Sequence, residues 1–339
     1  MDRSRTAVGP RTAELLAEDE LPGLHARARR GLDVFLIRHG ARWLVAGEAD
    51  RVTVGRIAPD GSRVLASRTT WEGAEGSISP LPDGGLAVAG ATTVRAFDAE
   101  GRVRWTYPFQ PWPAEDGHGT SCAADATGRC LLAVTTGLLD EDGCPGADLC
   151  VALDLRDGSR VAATELQRPP GPARYFFQHS LTAPPRVFLN ALTGETYGTW
   201  EIALGEGFLR AAPLGDDDGP IAGSALGEAT AEPAPDGRRL TLHTPGGAKG
   251  IRTDAGDVLP QGLRFLGRHP GFLDDRRLLV AVGRDPDRPS DHHLLLDATT
   301  LRPAGELRYP GTECPDPLPL GDGTWLTLHG DVARRWTLN

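Results

Sequence analysis

The stretch that decides the fold is ISPLPDGGLAVAGATTVRAFDAEGRVRWTY, residues 78–107. Its pattern predicts four short strands separated by an Asp-Gly turn, a Gly-Ala-Thr bend and a Glu-Gly turn. Such turns favour hairpins because glycine and aspartate accept the positive φ that a tight turn requires. Apolar residues alternate with polar ones between the turns, which is the period of a strand. The stretch therefore predicts a four-stranded antiparallel meander.

Weaker copies of this unit recur at intervals of roughly 40 to 58 residues, close to the period of four-stranded propeller blades. The first hairpin of the unit occurs seven times, in FLIRHGARWLVAG, residues 78–107, ADATGRCLLAV, PPRVFLNAL, APDGRRLTLH, LDDRRLLVAV and GDGTWLTLHG. The second hairpin occurs six times, in IAPDGSRVLAS, FDAEGRVRW, LDLRDGSRVAAT, IALGEGFLRAA, RTDAGDVL and LDATTLRPAGEL. The seventh unit ends at VARRWTLN, after its third strand.

Residues 11–19 form the one unassigned segment long enough to supply the missing fourth strand. The sequence therefore predicts an all-β fold, a seven-bladed β-propeller of four-stranded antiparallel blades closed by the N-terminal strand. We expect a single domain over residues 1–339, with the closing strand and its connection in 1–30 and the blades in 31–339. Closure pairs edge strands that would otherwise promote aggregation.

The segment TVRAFDAEGRVRWTY also carries a family resemblance. It resembles the third and fourth strands of WD40-like and quinoprotein-like repeats, in which an Ala-x-Asp-x-x-Gly-x-x-x-Trp pattern closes each blade. The sequence has no recurrent Trp-Asp pair and no vicinal cysteine pair. The resemblance therefore implies a propeller architecture and no bound quinone.

Charge and hydropathy exclude several kinds of partner. The chain has 36 basic and 46 acidic residues, a formal net charge of −10. Nucleic acid and anionic membranes are not expected partners, since phosphate binding requires a concentrated cationic face. No apolar stretch approaches the roughly 20 residues that span a bilayer, and the first residues contain no signal-peptide core. We therefore expect a soluble, cytoplasmic monomer.

The predicted connections differ in length between the two faces of the propeller. Connections within the hairpins are tight turns. The other connections are longer and richer in titratable and aromatic residues, over residues 69–76, 108–119, 167–179 and 214–228. Long loops on a rigid scaffold are where binding residues concentrate. The sequence therefore predicts a functional site on this loop-rich face.

Histidines and glutamates recur where these loops enter the innermost strands of different blades. They are Glu75, His118, His179, Glu228, His269 and Glu313. Imidazole and carboxylate groups suit a divalent metal or general acid-base chemistry. The catalytic hypothesis uses His118, His179, His269, Glu75 and Glu228. The alternative is that these side chains form hydrogen bonds between blades.

Aromatic residues occur in the same loops. The predicted ligand-binding set is Trp71, Trp112, Tyr175 and Phe176, together with Glu313. Rings supply contact area for an apolar ligand or a peptide at little cost in side-chain entropy. The alternative is that these rings pack the long loops onto the edges of the blades.

Four cysteines fall within one predicted blade: Cys122, Cys130, Cys144 and Cys150. A symmetric turn near Ala126 would place Cys122 opposite Cys130 on neighbouring strands. The next connection would place Cys130 opposite Cys150 in the same way. A zinc site, a cross-strand disulfide and buried thiols are the open interpretations.

Two functions follow from this pattern. The first is a binding propeller that holds a protein segment or a small ligand on its loop-rich face and does no chemistry. The alternative is a propeller enzyme, a lyase, cyclase or hydrolase, that uses the histidines and glutamates at the channel mouth with a possible divalent metal. Propellers support both, so the fold alone does not choose between them.

Overall fold

The computed structural model describes residues 10–29, 34–38, 40–48, 51–72, 76–112, 119–137, 147–167, 173–180, 186–193, 196–213, 222–223, 230–234, 236–243, 251–284, 292–311 and 315–339. The chain begins with strand β1 (Arg11–Glu20) and helix α1 (Leu24–Arg29). It divides into two compact units, which we call the larger unit (21–57 and 65–220) and the smaller unit (1–20, 58–64 and 221–339). Neither helix in the described residues is long and apolar enough to cross a membrane.

The larger unit contains four sheets, each an antiparallel meander of four consecutive strands. The first sheet contains β2 (Phe35–Arg38), β3 (Ala41–Glu48), β4 (Arg51–Ile57) and β5 (Leu65–Glu72). The second contains β6 (Ser77–Pro80), β7 (Leu86–Ala89), β8 (Thr93–Phe97) and β9 (Val103–Pro108). The third contains β10 (Cys122–Ala124), β11 (Cys130–Thr135), β12 (Leu149–Asp154) and β13 (Arg160–Glu165). The fourth contains β14 (Arg174–His179), β15 (Val187–Thr193), β16 (Thr196–Leu204) and β17 (Leu209–Pro213).

The core of the larger unit lies between successive sheets. Leu36 and Val52 pack with Ile78 and Phe97 between the first and second sheets, and similar clusters fill the next two gaps. Strands such as β7 and β11 are buried at every residue because a sheet packs on each of their faces. The meander predicted over residues 78–107 is therefore confirmed, and burial on both faces explains its nearly continuous apolar second strand.

The smaller unit contains a four-stranded sheet and an eight-stranded sheet. The four-stranded sheet contains β18 (Ala222–Gly223), β19 (Thr230–Pro233), β20 (Arg239–His243) and β21 (Ile251–Asp254), and helix α2 (Ala255–Val258) follows it. The remaining strands are β22 (Arg264–Phe272), β23 (Arg277–Gly283), β24 (His292–Asp297), β25 (Pro303–Arg308), β26 (Leu318–Pro319), β27 (Thr324–His329) and β28 (Val332–Leu338). The order in the eight-stranded sheet is β22-β23-β24-β25-β1-β28-β27-β26.

Strand β1 joins the two ends of the chain within the smaller unit. It runs antiparallel to β28, from Ala13 opposite Leu338 to Glu20 opposite Val332. It also pairs in parallel with β25 at its first two residues. The ladder with β28 skips Leu16, and this extra residue forms a β-bulge in β1. The same kind of bulge occurs in the last strands of four other meanders, at Ala66 in β5, Arg104 in β9, Val161 in β13 and Ala304 in β25.

The segment RTDAGDVL does not form the second hairpin predicted from its sequence. Strand β21 ends at Asp254, and the helical turn of α2 follows, with Leu259 N–H donating to Ala255 O at 2.7 Å. A helical turn places residues four apart on one face. Ala255 and Leu259 are both buried in the apolar cluster between β20 and β23, which explains the helix. The fourth strand of this sheet is β18, on the opposite side of the sheet from β21.

A buried hydrogen-bond chain connects β24 to β27. The indole of Trp325 donates to Tyr309 Oη at 2.8 Å, and Tyr309 Oη also contacts His293 Nδ1. Burial lowers the pKa of His293 to about 3, so its ring is neutral near pH 7. Because the indole can only donate, the Tyr309 hydroxyl accepts from Trp325 and links it to the neutral imidazole of His293. Tyr309 is therefore partly buried and packs against the apolar cluster that contains Trp325 and Trp336.

Aspartates cap most of the tight turns. Asp98 Oδ1 accepts from the N–H groups of Glu100 and Arg102 at 3.0 and 2.8 Å. Asp297 Oδ1 accepts from the N–H groups of Thr299 and Thr300 at 3.0 and 2.8 Å. Glycines complete several turns at positive φ, for example Gly101 at 85°. Turn geometry therefore explains why aspartate and glycine occur in these turns.

These capping bonds make folding sensitive to acid. Hydrogen bonds from the hydroxyls and amides of Thr299 and Thr300 lower the pKa of Asp297 to about 2, and those from Arg156 lower the pKa of Asp154 to about 2. The pKa of an aspartate in the unfolded chain is about 3.9. The stabilisation is therefore present above about pH 4 and is lost as pH falls toward about 2. We expect the melting temperature to fall over this range, and to fall less steeply in Asp297→Asn. An identical pH dependence in that variant would contradict this assignment.

Candidate binding site

Two connections and one strand of the larger unit meet at one buried carboxylate. Trp112, between β9 and β10, donates its indole N–H to Asp148 Oδ1 at 2.9 Å, and the Tyr175 hydroxyl of β14 donates to Asp148 Oδ2. Asp148 directly precedes β12 and is only 1% exposed. A buried carboxylate is stable when donors satisfy its oxygens. Asp148 therefore joins the connections β9–β10 and β11–β12 to the first strand of the fourth sheet.

Further hydrogen bonds hold the same region. Thr136, which follows β11, donates its hydroxyl to Gln110 O at 2.6 Å. Gly119 N–H donates to Ala173 O, and Tyr175 N–H donates to Gly119 O, both at 3.1 Å. The described ends of the connection over residues 109–121 are therefore fixed by the third and fourth sheets.

The structure brings together two of the predicted ligand-binding aromatics. Trp112 and Tyr175 share Asp148, and both pack against the apolar cluster between the third and fourth sheets. Tyr175 is 5% exposed, and Trp112 packs edge-on against Phe109 at a centroid distance of 5.8 Å. Their polar atoms are engaged by Asp148, so in this arrangement they position the connections. Direct contact of either ring with a ligand stays a prediction.

The other predicted aromatics lie elsewhere. Trp71 lies one residue before the end of β5, is 5% exposed, and donates its indole N–H to Asp98 O of the second sheet at 3.3 Å. Phe176 is half-buried in β14, opposite Asn190 of β15. Their roles in binding stay predictions.

The predicted histidines and glutamates are placed only in part. Glu75, His118, Glu228 and Glu313 lie outside the described residues. His179 ends β14 and is 1% exposed. His269 lies in β22 where the ladder with β23 is interrupted between Leu266 and Gly271. Their convergence on one site therefore stays a prediction.

Hydroxyl groups bridge the first strands of the larger unit. Strands β2, β6, β10 and β14 contact one another in this order, and β14 also contacts β2. Ser77 Oγ lies 3.2 Å from Ser121 Oγ, which also accepts from Phe177 N–H at 3.4 Å. Ser79 Oγ accepts from Ala124 N–H at 3.3 Å. Serine side chains at these strands thus connect neighbouring sheets.

The cysteine pairings predicted from a symmetric turn are wrong. Cys122 lies opposite Ala133, and Cys150 lies opposite Val134. The turn is displaced because Asp125 Oδ1 accepts from the N–H groups of both Arg129 and Cys130. Cys122, Cys130 and Cys150 are buried, Cys130 and Cys150 as free thiols, and burial raises the pKa of Cys150 to about 12. Cys144 and Cys314 lie outside the described residues.

No group of three or more histidine, cysteine, aspartate or glutamate side chains within the described part of the chain could hold a metal ion. The residue that sequence reasoning missed is Asp148. The available signal was an acidic residue directly before an apolar strand, with no tight turn to cap.

No protein-family model and no curated protein matches this chain. Among solved structures it is similar to the Cps50 (Swd1) β-propeller domain from Myceliophteria thermophila, with 11% identity and a TM-score of 0.51 over 90% of this chain and 95% of that one. The chain has a β-propeller fold. This likeness confirms the propeller resemblance predicted from the sequence, with four-stranded antiparallel blades.

Two other similar structures have lower scores. BamB from Moraxella catarrhalis is 11% identical, with a TM-score of 0.49 over 96% of this chain and 99% of that one. Hydrazine synthase from Kuenenia stuttgartiensis is 13% identical, with a TM-score of 0.47 over 83% of this chain and 78% of that one.

Proposed function

We propose that this β-propeller binds a basic protein segment on its loop-rich face and does no chemistry there. The observation that carries the proposal is a difference in charge between the two ends of the blades in the larger unit. In a meander, the second-to-third connections and the connections between sheets leave from the same end of the strands. We define the loop-rich face of the larger unit by these connections, residues 49–50, 73–76, 90–92, 109–121, 136–148, 166–173 and 194–195.

By sequence, the segments that make these connections contain nine acidic residues and one arginine. The acidic residues are Asp50, Glu75, Glu115, Asp116, Asp140, Glu141, Asp142, Asp148 and Glu195, and the arginine is Arg168. Asp148 is buried and accepts from Trp112 and Tyr175, and the other residues of this list lie outside the described residues. A concentrated charge of one sign attracts ligands of the other sign and raises their association rate. The face is therefore suited to a segment rich in lysine and arginine.

The tight turns that follow the first and third strands of these sheets are nearly balanced. They carry seven acidic residues and five arginines. The acidic residues are Asp60, Asp83, Asp98, Glu100, Asp125, Asp157 and Glu206, and the arginines are Arg63, Arg102, Arg129, Arg156 and Arg186. Asp98 and Asp125 are already engaged in capping. The charge imbalance therefore distinguishes the sequences at the two ends of these sheets.

The Asp148 network supports binding at this face because it fixes the scaffold. Trp112 and Tyr175 hold the connections β9–β10 and β11–β12 against the fourth sheet. Pre-organised connections lose less conformational entropy when a partner binds.

The test uses two fluorescently labelled 12-residue peptides, one alternating arginine with serine and one alternating glutamate with serine. We expect the arginine peptide to bind and its affinity to fall as salt is raised from about 50 to about 300 mM, because salt screens charge pairs. The glutamate peptide should not bind. Equal binding of both peptides, or affinity that does not depend on salt, would contradict the proposal.

We also propose seven blades, with β1 as the last strand of the seventh. The seven groups of strands are the five four-stranded sheets, the strands β22–β25, and the strands β26–β28 together with β1. The bulge at Leu16 supports the assignment, since the last strands of four other meanders have the same irregularity. Bulges also protect outer strands from further pairing.

We propose a cytoplasmic monomer, with neither nucleic acid nor membrane as partner. The free thiols of Cys130 and Cys150 support a reducing compartment. The net charge of −10 supports the choice of a basic protein partner over an anionic one.

A further inference from the structure

A cleft of about 550 Å³ lies between the first and second sheets of the larger unit. It is lined by Arg51, Thr70, Trp71, Glu72, Glu100 and Gly101. One wall comes from the ends of β4 and β5, and the other is the turn between β8 and β9. Its volume lies in the range of about 300 to 1,000 Å³ that is typical of ligand pockets.

The cleft is held open by contacts between the two sheets. The buried indole of Trp71 donates to Asp98 O at 3.3 Å and fixes the turn against β5. Gly101 has a φ of 85°, and a Cβ at this position would lie 4.0 Å from Trp71 Cδ1. Because glycine has no side chain, the space beside the indole stays open.

Each wall presents a carboxylate with unused acceptor capacity. Glu72 and Glu100 have side chains that are 78% and 66% exposed. Glu72 Oε1 accepts from Arg51 at 3.4 Å, and Glu100 Oε2 accepts from Arg102 at 3.1 Å. A carboxylate has about four lone-pair sites, so both retain capacity for a second cation. Exposed ion pairs of this kind are weak and exchange partners readily.

We propose that this cleft takes one basic side chain, a guanidinium or an alkylammonium group, between Glu72 and Glu100. Glu72 lies at the loop-rich end of the first sheet, and Glu100 lies in a tight turn of the second sheet, so the cleft joins the two ends of neighbouring sheets. That the side chain belongs to a bound segment rests on the proposed function, whereas the chemistry of the cleft does not.

The test is an NMR titration of the Trp71 indole N–H, assigned with Trp71→Phe. The probes are N-acetyl-arginine methylamide and the N-acetyl-citrulline analogue, which has nearly the same shape without the charge. We expect a saturable shift with the arginine probe only. The shift should weaken at least about tenfold in Glu72→Gln/Glu100→Gln and stay within about twofold in the control Glu165→Gln/Glu206→Gln, whose carboxylates lie outside the cleft. Equal shifts with citrulline, or a shift retained in Glu72→Gln/Glu100→Gln, would overturn the proposal.

The outcome separates the two proposals. If the arginine probe binds and no arginine-rich peptide does, the cleft assignment stands and the proposed function fails. If the peptides bind and the probe does not shift Trp71, the cleft assignment fails and the proposed function stands.

Discussion

Deletion of residues 1–20 should lower the melting temperature by about 5 °C or more and should promote aggregation. Strand β1 forms a ladder with β28 over most of its length, and its Ala13 is buried beside Trp325 and Trp336. Without β1, the N–H and C=O groups on one side of β28 lose their partners. Exposed edges of this kind pair with other chains.

The control for this deletion removes residues 1–9 alone and leaves β1 intact. We expect its melting curve and solubility to match those of the full chain. If the longer deletion melts and stays soluble like the shorter one, β1 does not act as the last strand of a blade. The comparison uses thermal unfolding monitored by circular dichroism, with light scattering to detect aggregates.

Replacing Arg335 with Met should cost about 3 to 5 kcal/mol of folding free energy. The Arg335 side chain is 1% exposed and donates to Asp322 Oδ2 at 2.9 Å, to Thr324 Oγ1 at 3.1 Å, and to the carbonyl of Ala58. Its removal takes away the donor to Asp322 Oδ2 and to the buried Ala58 carbonyl, while Asp322 Oδ1 keeps its hydrogen bonds from Thr324. The loss is large because unpaired buried polar groups keep their full desolvation penalty.

The adjacent residue provides a matched control. Arg334 donates to Glu18 Oε2 at 2.7 Å, but this pair is 36% and 48% exposed. Replacing Arg334 with Met should therefore cost about 1 kcal/mol or less. Urea unfolding of both variants measures the difference, and equal losses would show that burial of the Arg335 pairs contributes nothing.

The repeating unit could be predicted because its signals are local. Asp-Gly and Glu-Gly turns together with alternating apolar residues define strands β6 to β9 within residues 78–107. The segment RTDAGDVL has a similar local signal and was predicted wrongly. Its helical turn depends on burial of Ala255 and Leu259 among residues from β20 and β23, and that contact is not visible in the local sequence.

For the candidate site, the sequence predicted which loops are involved but not which side chains meet there. Trp112 and Tyr175 were identified as residues of long loops, but Asp148 lies 36 and 27 positions from them. No local pattern pairs a carboxylate with donors so distant in sequence. The register of Cys122 failed for a related reason, since side-chain bonds of Asp125 displace the turn. Side-chain contacts that set a register or join two connections appear only in the folded chain.

The most direct test of the proposed function compares two triple variants that remove the same number of charges. Asp140→Asn/Glu141→Gln/Asp142→Asn neutralises part of the loop-rich face. Glu14→Gln/Glu206→Gln/Asp275→Asn removes three exposed carboxylates that lie on β1 and in tight turns. The affinity of the arginine peptide, measured by fluorescence anisotropy at about 50 mM salt, should fall about tenfold or more in the first variant and less than about twofold in the second. Equal losses in the two variants would show that the peptide responds to net charge alone, and would contradict binding at the loop-rich face.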